Sequence, residues 1–347
     1  MSPTASVVIP TLNEIAHIEG LIAQLLAEPD TTVGEILVAD GGSTDGTREA
    51  VRRIAASEPR VRLIDNPDRI QAAGVNRAVG QADQRFATIV RVDAHALYPR
   101  NYVGRLLDAM ARSGADSVVV RMETVGRTCL QRAIAAAGNS RIGTGGSAHR
   151  MARGSGFVDH GHHAAFSRIL FERAGGYDAS FEANEDAELD ARLRALGGRI
   201  WLDADIPVTY CPRATLRGLA RQYRRYGSGR AHTFLKHGEP LKLRQMLPPI
   251  ALAGVSVGLL LAPLTPFALL LPTGYFAAVA AGSIALALTT RSPCALLALL
   301  ALPTMHFAWG AGFIGRLIAN GRRTLELLSR RNIEPVPQAR HLPEGAT

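Results

Sequence analysis

The stretch RVDAHALYPRNY, residues 91–102, follows the apolar run FATIV and sets a carboxylate, Asp93, two residues before an imidazole, His95. If a buried strand ends at Asp93, both side chains turn toward one point. A carboxylate beside an imidazole suits Mg2+ or Mn2+, the latter tolerating nitrogen better. The same pair also reads as a turn cap and a solvated loop histidine. Farther along, NEDAE (184–188) places acidic residues in a first helical turn, where they are ordinary dipole partners. Asp186 there is also positioned to serve as a general base for an alcohol.

Three further segments carry usable chemistry. In ADGGSTDGT (39–47), glycines permit a tight turn and Ser43, Thr44 and Asp45 supply caps for a helix starting at Thr47. Asp40 has no capping task and can accept hydrogen bonds from a base or ribose. VVIPTLNE (7–14) ends a strand at Pro10 and Thr11, and Glu14 can line the same cleft, while Asn13 reads as a cap. HGHH (160–163) packs three histidines into four residues, suited to metal, phosphate or sugar. RQYRRYGSGR (221–230) reads as an interfacial basic helix, with Gln222, Arg225 and Tyr226 able to reach a leaving diphosphate.

These residues need a scaffold, and the periodicity supplies one. Strand patterns at 6–10, 35–40, 61–66, 86–94 and 116–122 alternate with helical patterns at 14–27, 47–57, 71–82 and 102–114. That order implies an α/β domain: a mostly parallel, Rossmann-like sheet with helices on both faces. Ligands then bind outside the carboxyl ends of the strands, where Asp40 and Asp93 fall. Between 123 and 165 the pattern breaks down, and GTGGSAHRMARGSG (143–156) reads as a basic, glycine-rich loop, either over the site or simply on the surface. A helix returns at 184–198.

From Pro248 to Thr290 there is no Asp, Glu, Lys or Arg, and after Arg291 the next charge is Arg316. Pro248–Leu271, Gly274–Thr290 and Pro293–Ile318 are each about long enough to cross a bilayer. The chain has a net charge of +9, and arginines crowd both flanks of the tract. This predicts a membrane protein with both flanks in the cytosol rather than a nucleic-acid binder. Three spans contradict that parity, and Pro303 with Gly310–Gly312 marks the third as the irregular one. The expected division is 1–215 cytosolic and catalytic, 216–246 interfacial, 247–319 membrane-spanning in two or three passes, and 320–347 a basic disordered tail. The opening residues lead directly into a strand, so no signal peptide is expected. Cys129, Cys211 and Cys294 have no metal spacing, and no disulfide framework is expected.

Taken together these segments resemble family 2 of the inverting, nucleotide-sugar-dependent glycosyltransferases, over about residues 5 to 235. Asp40, Gly42, Ser43, Asp45, Gly46 and Thr47 match the family's nucleotide-binding turn, and AGVNRAVG, with Asn76, is similar to its ARNxG helix. VDAH stands at the Asp-x-Asp metal motif, NED at the Glu-Asp motif of the base, and QYRRY near QxxRW. The combination is most similar to the succinoglycan-type exopolysaccharide transferases. The resemblance implies a GT-A fold, with donor contacts from Pro10, Thr11, Glu14, Asp40, Asn76, Asp93, Gln222, Arg225 and Tyr226. It implies Mg2+ or Mn2+ on Asp93, with His95 as second ligand or as a diphosphate contact, His162 or His163 as a substitute third ligand, and Asp186 as catalytic base. The expected partners are a nucleotide-sugar donor such as UDP-hexose, a lipid-linked saccharide acceptor, the bacterial inner membrane and other polysaccharide-synthesis proteins. Rival readings are a processive synthase, a polyprenyl-phosphate transferase and a non-catalytic sugar-nucleotide-binding module.

Overall fold

A computed structural model describes residues 4–151 and 154–331. The strands are β1 (Ala5–Thr11), β2 (Val33–Asp40), β3 (Val61–Asp65), β4 (Thr88–Arg91), β5 (Ser117–Thr124), β6 (Gly156–Phe157), β7 (His162–Ser167) and β8 (Ile200–Tyr210). They form one sheet in the order β3-β2-β1-β4-β7-β5-β8-β6. β3, β2, β1 and β4 run parallel, as do β5 and β8, while β7 is antiparallel between β4 and β5. The antiparallel β7 has a consequence for the site: its first residue, His162, lies at the sheet edge where β4 ends.

Helices cover both faces. α1 (Ile15–Leu26), α2 (Thr47–Ser57) and α4 (Tyr102–Ser113) lie on one side; α3 (Gln71–Gln81), α8 (Arg168–Arg173) and α9 (Glu185–Ala195) lie on the other. The alternation in β1 sorts them. Val7 and Ile9 pack with Ile18, Ile22 and Leu106, whereas Val8 packs with Val75, Leu170 and Leu189. Each such side chain, once fully buried, contributes about 1.5–3 kcal/mol.

The segment read as patternless is ordered. It holds α5 (Cys129–Gly138), α6 (Arg141–Thr144) and α7 (Ala148–Met151) as well as β6 and β7. α5 opens with a reciprocal cap between Thr128 and Gln131. Short helices separated by glycines leave too few residues per element for a visible period.

The remaining helices are α10 (Leu216–His237), α11 (Leu243–Leu261), α12 (Leu270–Thr290), α13 (Ala298–Ala319) and α14 (Gly321–Arg331). Three apolar helical stretches, Leu243–Leu261, Pro266–Thr290 and Pro293–Ala319, have the length and hydropathy to cross a membrane. The first break comes earlier than predicted, at the turn 262–265, so Pro266–Leu271 belongs to the second stretch. Pro303 sits inside an unbroken α13. α10 does not lie free at an interface: it packs lengthwise along α13, and Leu219 joins Ile134, Leu302 and Met305 in an apolar cluster with α5. Of the predicted tail, 321–331 is helical, and 332–347 lies outside the described residues.

Cys129 and Cys294 form a disulfide across 165 residues of sequence, with Cα atoms 5.0 Å apart. This corrects the expectation of no disulfide. Cys294 falls at the start of the third apolar stretch, and there the turn Pro293–Leu297 packs on α5.

Candidate functional site

The carboxyl ends of β4 and β8, the start of β7 and the start of α9 meet at one cavity of about 1050 Å3. Arg91, the last residue of β4, is central to it. Its side chain is only 3% exposed. Nη1 donates to Oδ1 of Asp186 at 2.8 Å, Nε lies 3.3 Å from Oδ1 of Asp93, and Nη2 lies 3.5 Å from Glu185. One guanidinium therefore ties three carboxylates from two distant segments. Burial opposes its charge, but Asp93 and Asp186 outweigh burial and push the Arg91 pKa well up.

Asp186 is fixed from a second side. The Tyr177 hydroxyl donates to Oδ1 at 2.8 Å, and the same hydroxyl is 3.1 Å from Arg91 Nη1. Tyr177 is held in turn by Asn76, whose amide side chain donates to the Tyr177 carbonyl and accepts from its N–H. Asn184 adopts a left-handed conformation and does not cap α9; its Nδ2 donates to the Tyr226 carbonyl, tying α9 to α10. Burial and the neighbouring Asp186 raise the pKa of Glu185. For Asp93 burial works upward too, but Arg91, His162 and His95 outweigh it and hold the carboxyl below its usual range.

His162 bridges the two ends of the site. Its Nε2 lies 3.7 Å from Oδ2 of Asp93 and its Nδ1 lies 3.4 Å from Oδ2 of Asp186. Oδ1 of Asp93 is taken by Gln71 and Arg91. Among the described residues Oδ2 has no partner nearer than His162. A carboxylate oxygen and an imidazole nitrogen at that spacing fit two ligands of a divalent cation whose other ligands come from a diphosphate. Among the described residues no three His, Cys, Asp or Glu side chains are arranged to hold a metal. His95 does not approach Asp93 in this way. Its Nδ1 sits 3.1 Å from Glu14 Oε1, a hydrogen bond that raises the His95 pKa.

Other predicted residues fall into two groups. Gln222, Arg225 and Tyr226 line the cavity with Asp93, His95 and Asp186. Gln222 donates to the hydroxyls of both Tyr210 and Tyr226. Pro10, Thr11, Glu14, Asp40 and Asn76 do not line it, although Glu14 reaches the lining residue His95. Asp40 is fully buried, and its carboxylate accepts from the amides of Gly42 and Ser43, the Ser43 hydroxyl and Arg48. It thus does the capping work it was thought to lack, because the loop folds back on the strand end. Asp45 takes its expected part through the Thr47 amide. His160 lines the cavity and pairs with the buried Asp190; the His163 side chain lies outside the described residues. Sequence reasoning missed Arg91, Tyr177 and Gln71. For Arg91 a signal existed: a cation inside an apolar strand, two residues before Asp93 and so on the same face of the strand.

Comparison with known proteins agrees with this architecture. The family model described as Glycosyl transferase family 2 matches residues 6–175. The succinoglycan biosynthesis protein ExoA of Rhizobium meliloti (strain 1021) is 47% identical over 323 residues, covering 93% of this chain and 97% of that protein. Among solved structures, a mannosyltransferase from Pyrobaculum calidifontis, in complex with GDP-Man and Mn2+, superimposes with a TM-score of 0.57 at 24% identity. The match covers 91% of this chain and 88% of that one. The fold and site define a sugar transferase with a GT-A-like sheet and apolar C-terminal helices. The chain belongs to glycosyl transferase family 2.

Proposed function

We propose that this protein is a membrane-bound inverting hexosyltransferase. It moves a sugar from a nucleotide donor, a UDP-hexose, to a lipid-linked saccharide during assembly of a succinoglycan-type exopolysaccharide. Residues 1–215 carry the chemistry and face the cytoplasm at the inner membrane. The observation that carries the reading is the placement of Asp93 and Asp186 on one cavity, bridged by Arg91 and His162. The 47% identity to a succinoglycan biosynthesis protein supports the pathway.

In this reading the acceptor hydroxyl oxygen bonds to the anomeric carbon as the sugar–phosphate bond breaks. Its proton passes to Asp186, and the nucleoside diphosphate leaves on the opposite face. Arg91 and Tyr177 orient Asp186 before substrate arrives, so no reorganisation is needed during the step. A bound divalent cation would neutralise charge gathering on the leaving diphosphate. Asp93 with His162 or His95 would hold it. Gln222, Arg225 and Tyr226 face the diphosphate from α10, and Glu14 steadies His95. Asn76 acts through Tyr177, and Asp40 acts only by holding the 41–48 loop at the end of β2.

The test is Asp186→Asn assayed with labelled nucleotide sugars and membrane lipid extract. Transfer should fall by about 10²–10⁴-fold while donor affinity stays near that of the wild type. Turnover equal to the wild type would remove Asp186 from the mechanism.

A further inference from the structure

The cavity is not lined uniformly. Along α10, Gln222, Tyr226 and Arg230 are spaced four residues apart and so form one stripe facing it. Along α11, Arg244 is followed at helical spacing by Leu247, Pro248 and Ala251, all on the same cavity. One stripe therefore runs from the reacting end to a cation, and the other runs from a cation to hydrocarbon. Arg230 and Arg244 stand at the junction of the two stripes. Burial and the Arg244 charge lower the pKa of Arg230. Arg141 and Arg150 line the same cavity, and Arg244 donates to the Gly146 carbonyl in the glycine-rich turn that follows Arg141. Among the described residues none of these four arginines has a carboxylate within ion-pair distance, although the carboxylates elsewhere in the site are densely paired. Beyond them Met305 and Trp309 of α13 complete an apolar wall.

Glu239 and Asp190 offset only part of the charge around Arg230, and neighbouring guanidinium groups with no ion-paired carboxylate suit a ligand that supplies negative charge. The planar fork of arginine matches phosphate oxygens two at a time. We propose that Arg230 and Arg244, with Arg141 and Arg150, bind the phosphate group that joins the acceptor sugar to its lipid, and that the α11–α13 wall takes the first segment of the lipid chain. The proposal rests on the lipid-linked acceptor reading and gives it an address separate from the donor diphosphate. The sugar then projects from this anchor along the α10 stripe toward Asp186. Chemistry and anchoring are divided between the two ends of one cavity.

The experiment uses the full chain in phosphatidylcholine nanodiscs. Binding of farnesyl diphosphate, farnesol and inorganic pyrophosphate is measured for the wild type, Arg230→Gln/Arg244→Gln and Arg230→Lys/Arg244→Lys. Farnesyl diphosphate should bind the wild type at least about tenfold more tightly than either fragment, because it alone satisfies both halves of the site. The glutamine pair should lose at least about tenfold, and the lysine pair should recover part of it, with nucleotide-sugar affinity unchanged in both. Loss of donor affinity with farnesyl diphosphate binding intact would overturn the proposal and assign the arginines to the donor. Full displacement of farnesyl diphosphate by phosphatidylglycerol nanodiscs would reduce the cluster to a general membrane contact and also overturn it. Transfer assays separate the two levels of failure. An unchanged acceptor KM in the glutamine pair, with lipid-linked product still formed, sinks this site alone. Product formed only on free saccharide sinks the lipid-linked reading with it.

Discussion

Arg91 bears the heaviest electrostatic duty in the molecule, since Asp93, Glu185 and Asp186 all depend on it. Replacing it with Met keeps much of the volume but leaves buried carboxylates without a counter-charge. Breaking a buried pair from one side costs about 3–5 kcal/mol. Arg91→Met should therefore lower the melting temperature markedly and abolish transfer, and Arg91→Lys should recover stability better than activity. Thermal unfolding followed alongside transfer decides this; an unchanged melting temperature contradicts the role. Asp178, next to Tyr177, offers a pH test. Burial alone would raise its pKa, but Lys236 and Ser180 outweigh burial and bring it down to about 2. Its folded value lies below the unfolded value of 3.8, so its stabilisation is complete above about pH 4 and is lost as pH falls toward 2. For this partly exposed pair the contribution is about 1–2 kcal/mol after solvent screening. Wild type and Asp178→Asn should differ by that amount at neutral pH and converge near pH 2; a gap that persists at pH 2 would exclude the linkage.

Elements were legible in proportion to how far they obey a single period. α1 and α4, each with one buried stripe, and the alternating strands of the sheet stand out in the sequence within a few residues. Asp93 and Asp186 stand out for the opposite reason, as charges where an apolar run stops or a helix starts. What the sequence hides is pairing over distance: Arg91 meets Asp186 across 95 residues and His162 reaches Asp93 only because β7 is inserted antiparallel. Asp40 misled because loop closure, invisible in a linear pattern, turns its carboxylate inward. The close approach of α10 and α13 was equally hidden. A Cβ on Gly312 would sit 2.0 Å from the Arg224 carbonyl oxygen, and one on Gly227 would sit 1.9 Å from that of Trp309. These contacts are with backbone, which cannot swing aside. Gly312→Ala should thus cost about 1–3 kcal/mol by forcing the helices apart. Gly315→Ala, one turn on with open space around it, should be neutral or stabilising by up to about 1 kcal/mol. Equal stability of the two variants would show that the helices do not pack this closely.

For the whole molecule, the pairing of α10 with α13 bears on how the chain meets the bilayer. Three stretches have the length and hydropathy to cross, which by counting alone places the two basic flanks on opposite sides. The packing argues otherwise. Gly227 meets Trp309, Arg224 meets Gly312 and Ser228 meets Arg316, and beyond α13 the α14 residue Arg323 reaches the Leu235 carbonyl. The two helices therefore run side by side in the same direction over their length. α10 also presents Gln222 and Tyr226 to the cavity that holds Asp186. A helix bound lengthwise to such a partner does not cross the hydrocarbon alone; where one lies, the other lies. The prediction is that α11 and α12 enter the bilayer as a hairpin, its tip carrying Leu264 at 82% exposed, with Phe267 and Leu270 also exposed. Such a hairpin would return to the side it left, which would place the arginines before α11 and those after α13 on one face. In a Cys211→Ser background, single cysteines at Arg217 and Arg322 should react with a membrane-impermeant maleimide from the same side of sealed inverted vesicles, and one at Leu264 should be shielded until detergent is added. Labelling of the two flanking positions from opposite sides would mean that α13 spans the membrane and that its packing along α10 is wrong.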